Sequence, residues 1–310
     1  MTIIEKLKLI QKYTNLSQTV LSQKLGVSFV SINKWLNNKA TPRPKIQAKI
    51  DELYLEVTGQ KIIPDSVLES KKQNIHSISK EYSNIIKEIL NNKDIYDEFV
   101  LKLTYHSNSI EGSTLSERDT AAIIFDNVAL PNKTLIEQLE AKNHQTAVEH
   151  LFGHLSKGGE INELLILKLH SVLLNGIYSD AGLYRRHAVR IGGSNVPTAN
   201  YLKINELMSE LFIDIDREKS ADIIKQVSSV HSKFEQIHPF PDGNGRIGRL
   251  LMTAMLLKQN IAPAVIHQEN KQLYYTYLNK SQLKGDSSQL EDFICDAIAD
   301  GFKILKRENI

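Results

Sequence analysis

ADIIKQVSSVHSKFEQIHPFPDGNGRIGRLLMTAMLLKQ, residues 221–259, contains two helical patterns joined by a loop whose residue types are unusual for a plain connector. In the first pattern Ile223, Val227, Val230, Phe234 and Ile237 recur three and four positions apart, which makes one core-facing stripe. His231 stands beside that stripe and reads as a structural histidine. His238 falls just before Pro239, where the backbone is biased away from helical dihedrals, so the helix ends there. The second pattern packs through Leu250, Leu251, Ala254 and Leu257. Its first-turn N–H groups have no helical partners, and Gly243 and Gly245 let an anion approach without a Cβ in the way. Arg246 and Arg249, three residues apart, can clamp further oxygens. Asp242 can hold the divalent cation that a polyphosphate carries, and His238 is the segment's obvious general base. The segment therefore reads as a site for a nucleoside triphosphate with magnesium. The competing reading is an arginine-rich cap whose glycines only permit close packing, and it leaves both guanidinium groups without a purpose.

Outward from this segment, apolar residues at helical spacing recur through almost all of residues 75–305, including IYDEFVLKLTYHSNSIEG and KTLIEQLEAKNHQTAVEHLFGHLS. An all-α body is expected. The exception is YRRHAVRIGGSNVPTA, residues 184–199, where Val189 and Ile191 alternate with polar neighbours and Gly192-Gly193 can make a hairpin turn. The chain has 310 residues and 41% hydrophobic content, enough for two or more domains. Its net charge of +2 is unevenly spread, because residues 1–50 hold nine Lys or Arg against one acid, Glu5. A connector over residues 58–74, punctuated by Gly59 and Pro64, separates this basic start from the body. Cys295 is the only cysteine, which excludes an intrachain disulfide and fits a reducing compartment. The start lacks a secretory signal, and no run approaches the about 18–20 apolar residues of a membrane span, so a cytoplasmic protein without membrane contact is expected. No zinc-ligand spacing is present, since one cysteine cannot build it and the histidines are scattered.

Residues 1–57 place Leu16, Leu21 and Leu25 at helix-core spacing, break at Gly26 and restart at Ser28. This stretch resembles the repressor-type helix-turn-helix family in Ser17-Gln18, Leu21, Leu25-Gly26-Val27-Ser28, Ile32, Trp35 and Pro42. The resemblance implies that Ser28 to about Leu36 enters the DNA major groove. Ser28, Phe29, Ser31, Asn33 and Lys34 would face bases or backbone, and Arg43 and Lys45 would reach phosphates, with two copies as a homodimer on a symmetric duplex site. A small module for protein contacts is the alternative, since no arginine in the second helix offers the commonest guanine contact.

His238-Pro239-Phe240-Pro241-Asp242-Gly243-Asn244-Gly245-Arg246, followed by Arg249, resembles the signature of the Fic family of nucleotidyltransferases. The resemblance spans roughly residues 75–300 and implies a Fic-type helical bundle that transfers AMP from ATP to a Ser, Thr or Tyr hydroxyl of a target protein, releasing pyrophosphate. It implies that His238 deprotonates the hydroxyl, Asp242 coordinates Mg²⁺, Asn244 steadies the α-phosphate, Arg246 binds the outer phosphates and Arg249 the γ-phosphate. Gly243 and Gly245 would offer backbone N–H groups, and Phe240 would anchor the loop. Val189, Arg190, Ile191 and Gly192 would form the β-hairpin flap that holds a target segment, and Tyr274 and Tyr275 would lie on the nucleobase side. Ser107-Asn108-Ser109-Ile110-Glu111-Gly112, on a helix expected near residues 97–112, resembles the inhibitory signature of some members. That resemblance implies that Glu111 pairs with Arg249 and keeps basal transfer low; some relatives built this way also remove AMP. The competing class is a DNA-binding regulator whose Fic-like body senses a nucleotide or oligomerises, and an intact His238 argues against it.

Overall fold

A computed structural model of the chain describes residues 1–192, 195–216 and 222–307, and every element of it is helical; among the described residues there is no strand. The first four helices are α1 (Ile3–Thr14), α2 (Gln18–Leu25), α3 (Phe29–Leu36) and α4 (Pro44–Val57). Thr2 and Glu5 close a capping box at the start of α1. Gly26, in the left-handed region at φ 66°, ends α2, and Ser28 caps α3 through the Ser31 N–H. Leu7, Ile10, Leu21, Leu25, Ile32, Ile50 and Leu53 are buried between these helices, whereas Leu16, expected at the same core spacing, precedes α2 and is only partly buried.

The remaining helices are α5 (Asp65–Ser79), α6 (Ile85–Asn91), α7 (Lys93–Glu111), α8 (Glu117–Ile124), α9 (Leu135–Ser156), α10 (Glu163–Leu173), α11 (Ile204–Asp216), α12 (Ile223–Ile237), α13 (Asn244–Lys258), α14 (Lys271–Lys284) and α15 (Ser288–Leu305). Much of the stretch read as a connector, residues 58–74, is the first part of α5, which lies on α15. Buried Lys72 fastens it there, donating to Glu291 Oε2 at 2.6 Å and to Asp222. Helix α13 is buried along nearly its whole length and touches α7, α9, α10 and α12. A helix enclosed on all sides has its register fixed, which is why this one can carry a site. The basic N-terminal helices are not isolated from the body, since α1 and α4 both contact α14.

Candidate active site

The site is built on the turn from α12 to α13. His238 closes α12 with φ 52° and ψ 59°, a left-handed conformation that costs a non-glycine residue roughly 1–2 kcal/mol. Its N–H donates to the Phe234 carbonyl at 3.0 Å, and two further contacts hold it there. Arg185 Nε donates to the His238 carbonyl at 2.7 Å, and the His238 ring meets the Glu235 carbonyl through Nδ1 at 3.2 Å. A carbonyl only accepts, so Nδ1 carries the ring hydrogen and Nε2 keeps its lone pair. Burial pushes the imidazole below its ordinary value, which favours the neutral, basic form.

Phe240 is fully buried and stacks on His170, ring centroids 3.7 Å apart and 7° from parallel. His170 Nδ1 accepts the Gly182 N–H at 2.7 Å and Nε2 donates to the Asp242 carbonyl at 3.0 Å. Burial lowers this ring to about 4, so it is a neutral strut. Asn244 accepts the Phe240 N–H and donates to the Phe240 carbonyl, both at 2.9 Å. Both ends of the Asn244 amide thus shape the loop, and the second Nδ2 hydrogen is still a donor. Gly243, at φ 78°, starts α13 with no side-chain cap. The Asp242 carboxylate accepts the Gly243 N–H at 2.7 Å, and its side chain remains half exposed.

Arg246 Nη1 meets Glu140 Oε1 on α9 at 2.7 Å, and its Nη2 lies 3.6 Å from Asp242 Oδ2. Arg249 donates through Nε to Ser107 Oγ at 2.9 Å, and through Nη2 to the Ser107 carbonyl at 3.0 Å and to Glu111 Oε1 at 2.7 Å. Burial alone would lower the Arg249 guanidinium, but the Glu111 carboxylate more than offsets it and the group is held above its ordinary value. Ser107 and Glu111 lie one helical turn apart on α7, and Gly112 ends that helix at φ 110°. A Cβ on Gly245 would lie 2.2 Å from Glu111 Oε1, so this glycine is what admits the carboxylate over the start of α13. One turn on, a Cβ on Gly248 would lie 2.3 Å from Oε1 of buried Glu235. Burial pushes that carboxyl up to about 8, against the pull of Arg249.

The flap reading changes in form. Val189, Arg190, Ile191 and Gly192 belong to irregular chain; Arg190 and Gly192 are exposed, and Gly193, the second half of the expected turn, lies outside the described residues. Thr198 Oγ1 donates across to the Val189 carbonyl at 2.8 Å, and among the described residues neither limb is a strand. Arg185 fixes the base, with Nη1 on the His187 carbonyl and Nη2 on the Ala199 carbonyl, each at 2.7 Å. Tyr274 is core rather than lining, fully buried with its hydroxyl 2.6 Å from His231 Nε2, while Tyr275 is half-buried. In the N-terminal helices Phe29, Asn33, Lys34 and Arg43 are exposed. Ser28 Oγ and Ser31 Oγ are 2.9 Å apart and serve the α3 cap. His170, Arg185, Glu140 and Glu235 escaped the sequence reading because each acts through a distant partner. One local trace was Gly248 on α13, where a Cβ would meet Glu235.

Residues 160–256 match the family model described as Fic/DOC family. Protein adenylyltransferase Fic of Drosophila persimilis is 28% identical over 230 residues, 74% of this chain and 44% of that protein. The Drosophila virilis protein of the same name is 30% identical over 193 residues, 62% of this chain and 40% of that one. The chain thus spans less than half the length of these relatives. Among solved structures, a Fic domain containing signaling protein from Bacteroides thetaiotaomicron superposes with TM-score 0.64 at 23% identity, covering 77% of this chain and 99% of that one. A segment of Fic-1 from C. elegans gives 0.67 at 21%, covering 92% and 95%. The matched residues take in α12, the loop and α13 as far as Leu256, so the stretch that carries His238 is similar to the Fic/DOC family.

Proposed function

We propose that this chain is a protein adenylyltransferase, moving AMP from ATP to a hydroxyl of a target protein, and that Glu111 restrains it through Arg249. The carrying observation is a histidine with a free Nε2 at the mouth of a helix N-terminus that has no side-chain cap. In this reading the target hydroxyl gives its proton to His238 Nε2 as its oxygen bonds to the α-phosphorus. The bond from that phosphorus to the bridging oxygen breaks, and pyrophosphate leaves. Such a transfer needs positioning and charge neutralisation more than covalent help. The α13 N-terminus and Arg246 supply the cationic field, and Glu140 orients Arg246. The Asp242 carboxylate, half exposed beside the loop, fits a hard cation that keeps most of its oxygen ligands from water and phosphate. Mg²⁺ held there would neutralise charge on the phosphates. Arg185 joins the flap base to His238, so a target strand laid along residues 189–192 would be registered against the base.

Restraint follows from occupancy. Glu111 takes the arginine that the γ-phosphate would otherwise take, and its carboxylate lies against Gly245, where an anion on the first turn would repel it. Residues 1–57 are proposed as a DNA-binding unit distinct from a catalytic unit over 75–305; the exposed Phe29, Lys34 and Arg43 favour that use of its surface. The test is incubation with ATP and Mg²⁺, alone and in lysate, read by intact and peptide mass spectrometry. Adducts of one AMP on hydroxyl side chains are expected. Their absence from both the parent and the Glu111→Gly protein would overturn the assignment.

A further inference from the structure

Helix α7 carries a second cluster, on the residue next to Ser107. His106 on α7, His267 in the segment leading from α13 to α14, and Glu269 in the short 3-10 turn Gln268–Asn270 each place a ligand atom within 4.8 Å of the others. The two imidazole rings meet edge to face with centroids 4.5 Å apart. His106 is only 4% exposed, and its Nε2 is buried with no hydrogen-bond partner, a costly state for a polar atom. His267 is oriented from behind, its Nε2 3.1 Å from Asp300 Oδ2 on α15, which leaves Nδ1 for a ligand. A carboxylate behind a histidine is the usual support for a metal-binding ring.

We propose that His106, His267 and Glu269 form a site for a divalent transition metal of the zinc class, separate from the phosphate loop. Two imidazoles and one carboxylate suit Zn²⁺ and are a poor set for Mg²⁺, which takes oxygen. The ligand atoms must draw closer than 4.8 Å to bond one ion, and the exposed Glu269 and its three-residue turn are the part free to adjust. Loading at His106 Nε2 moves the ring hydrogen to Nδ1 and gives up a long contact with the Gln268 N–H at 3.3 Å, in that same turn. The bound metal cross-links the residue preceding Ser107 to the chain entering α14.

The test is calorimetric titration of the full chain with Zn²⁺ and, separately, Mg²⁺, with thermal melts at each loading. One equivalent of Zn²⁺ is expected to bind and raise Tm, and the Zn²⁺ response persists with Mg²⁺ in excess. Glu269→Gln and His267→Gln, which alter the more accessible ligands, should lower Zn²⁺ affinity, and Asp300→Asn should lower it by about 10- to 100-fold. His150→Ala is the control, since His150 and His154 stack on α9 with centroids 6.5 Å apart and could attract metal themselves. No stoichiometric binding by the parent would overturn the proposal. So would binding that survives His267→Gln and Glu269→Gln but is lost in His150→Ala.

Discussion

At the scale of the residue, His238 joins strain to chemistry. Its left-handed backbone is kept by Arg185 and by its ring contact with Glu235, and that ring contact also decides which nitrogen is free. His238→Ala should therefore keep nucleotide binding and lose transfer by at least ~100-fold, the lower range for a positioned base. Labelling rates paired with calorimetric nucleotide binding check this. Because burial lowers the His238 ring, the basic form persists as pH falls through its ordinary 6.5, and transfer should decline only below that point. Glu235 shows the opposite shift. Its carboxyl ordinarily titrates near 4.5 and in the folded chain near 8, so between those values the folded state holds the extra proton and stability falls as pH rises. Glu235→Gln should remove that decline, gaining on the order of a few kcal/mol relative to the parent across the window. Urea midpoints at its two ends measure it, and parallel pH profiles would remove Glu235 as the titrating group.

Among elements, the decisive contact is between α7 and α13. Arg249 is buried and bound to Ser107 and Glu111 from one helix, so the pair fastens the two helices as well as occupying the arginine. Breaking a buried pair costs about 3–5 kcal/mol, and less here because the Glu111 side chain is 31% exposed. Glu111→Gly should lower Tm in the absence of nucleotide, raise AMP transfer by at least ~10-fold, and recover stability when ATP replaces the lost carboxylate. Adding Arg249→Ala should abolish the gain, since both changes act through one contact. Rates of AMP incorporation in the parent, both single variants and the double variant decide between restraint by this pair and restraint from another part of the chain.

For the whole molecule, the N-terminal helices contact α14, and Gln289 on α15 donates to the Lys61 carbonyl, so the basic unit rides on the proposed catalytic body. Its outward surface carries Phe29, Lys34 and Arg43, while Arg246 and Arg249 of α13 are turned inward onto Glu140 and Glu111. Duplex DNA should bind the exposed surface, with affinity falling steeply as salt rises, and Lys34→Glu should flatten that dependence by about one phosphate contact. Fluorescence anisotropy over a salt series measures it. Absence of binding at low salt would leave residues 1–57 as a module for protein contacts.

The sequence by itself determined the helical class and the helix-loop-helix that carries His238, and the resemblance of a second motif pointed to the Glu111–Arg249 contact. These are signals that period, capping and a short contiguous motif carry locally, or that two motifs carry together. Helical patterning resumes near Val67 in the sequence, close to the start of α5, but the docking of that helix through Lys72 and Glu291 joins residues 219 positions apart and has no local trace. The sequence reading expected a hairpin over residues 184–199; among the described residues there is no strand in that stretch, and Thr198 and Arg185 side chains bond across it. The roles of His170, Arg185, Glu140 and Glu235, and the engagement of the Asn244 amide within its own loop, were decided by tertiary contacts. So was the meeting of His106 and His267, two histidines that sequence spacing could only describe as scattered. A side chain's donors and acceptors are satisfied by whatever the fold brings within about 3 Å, and no local pattern encodes a partner a hundred residues away.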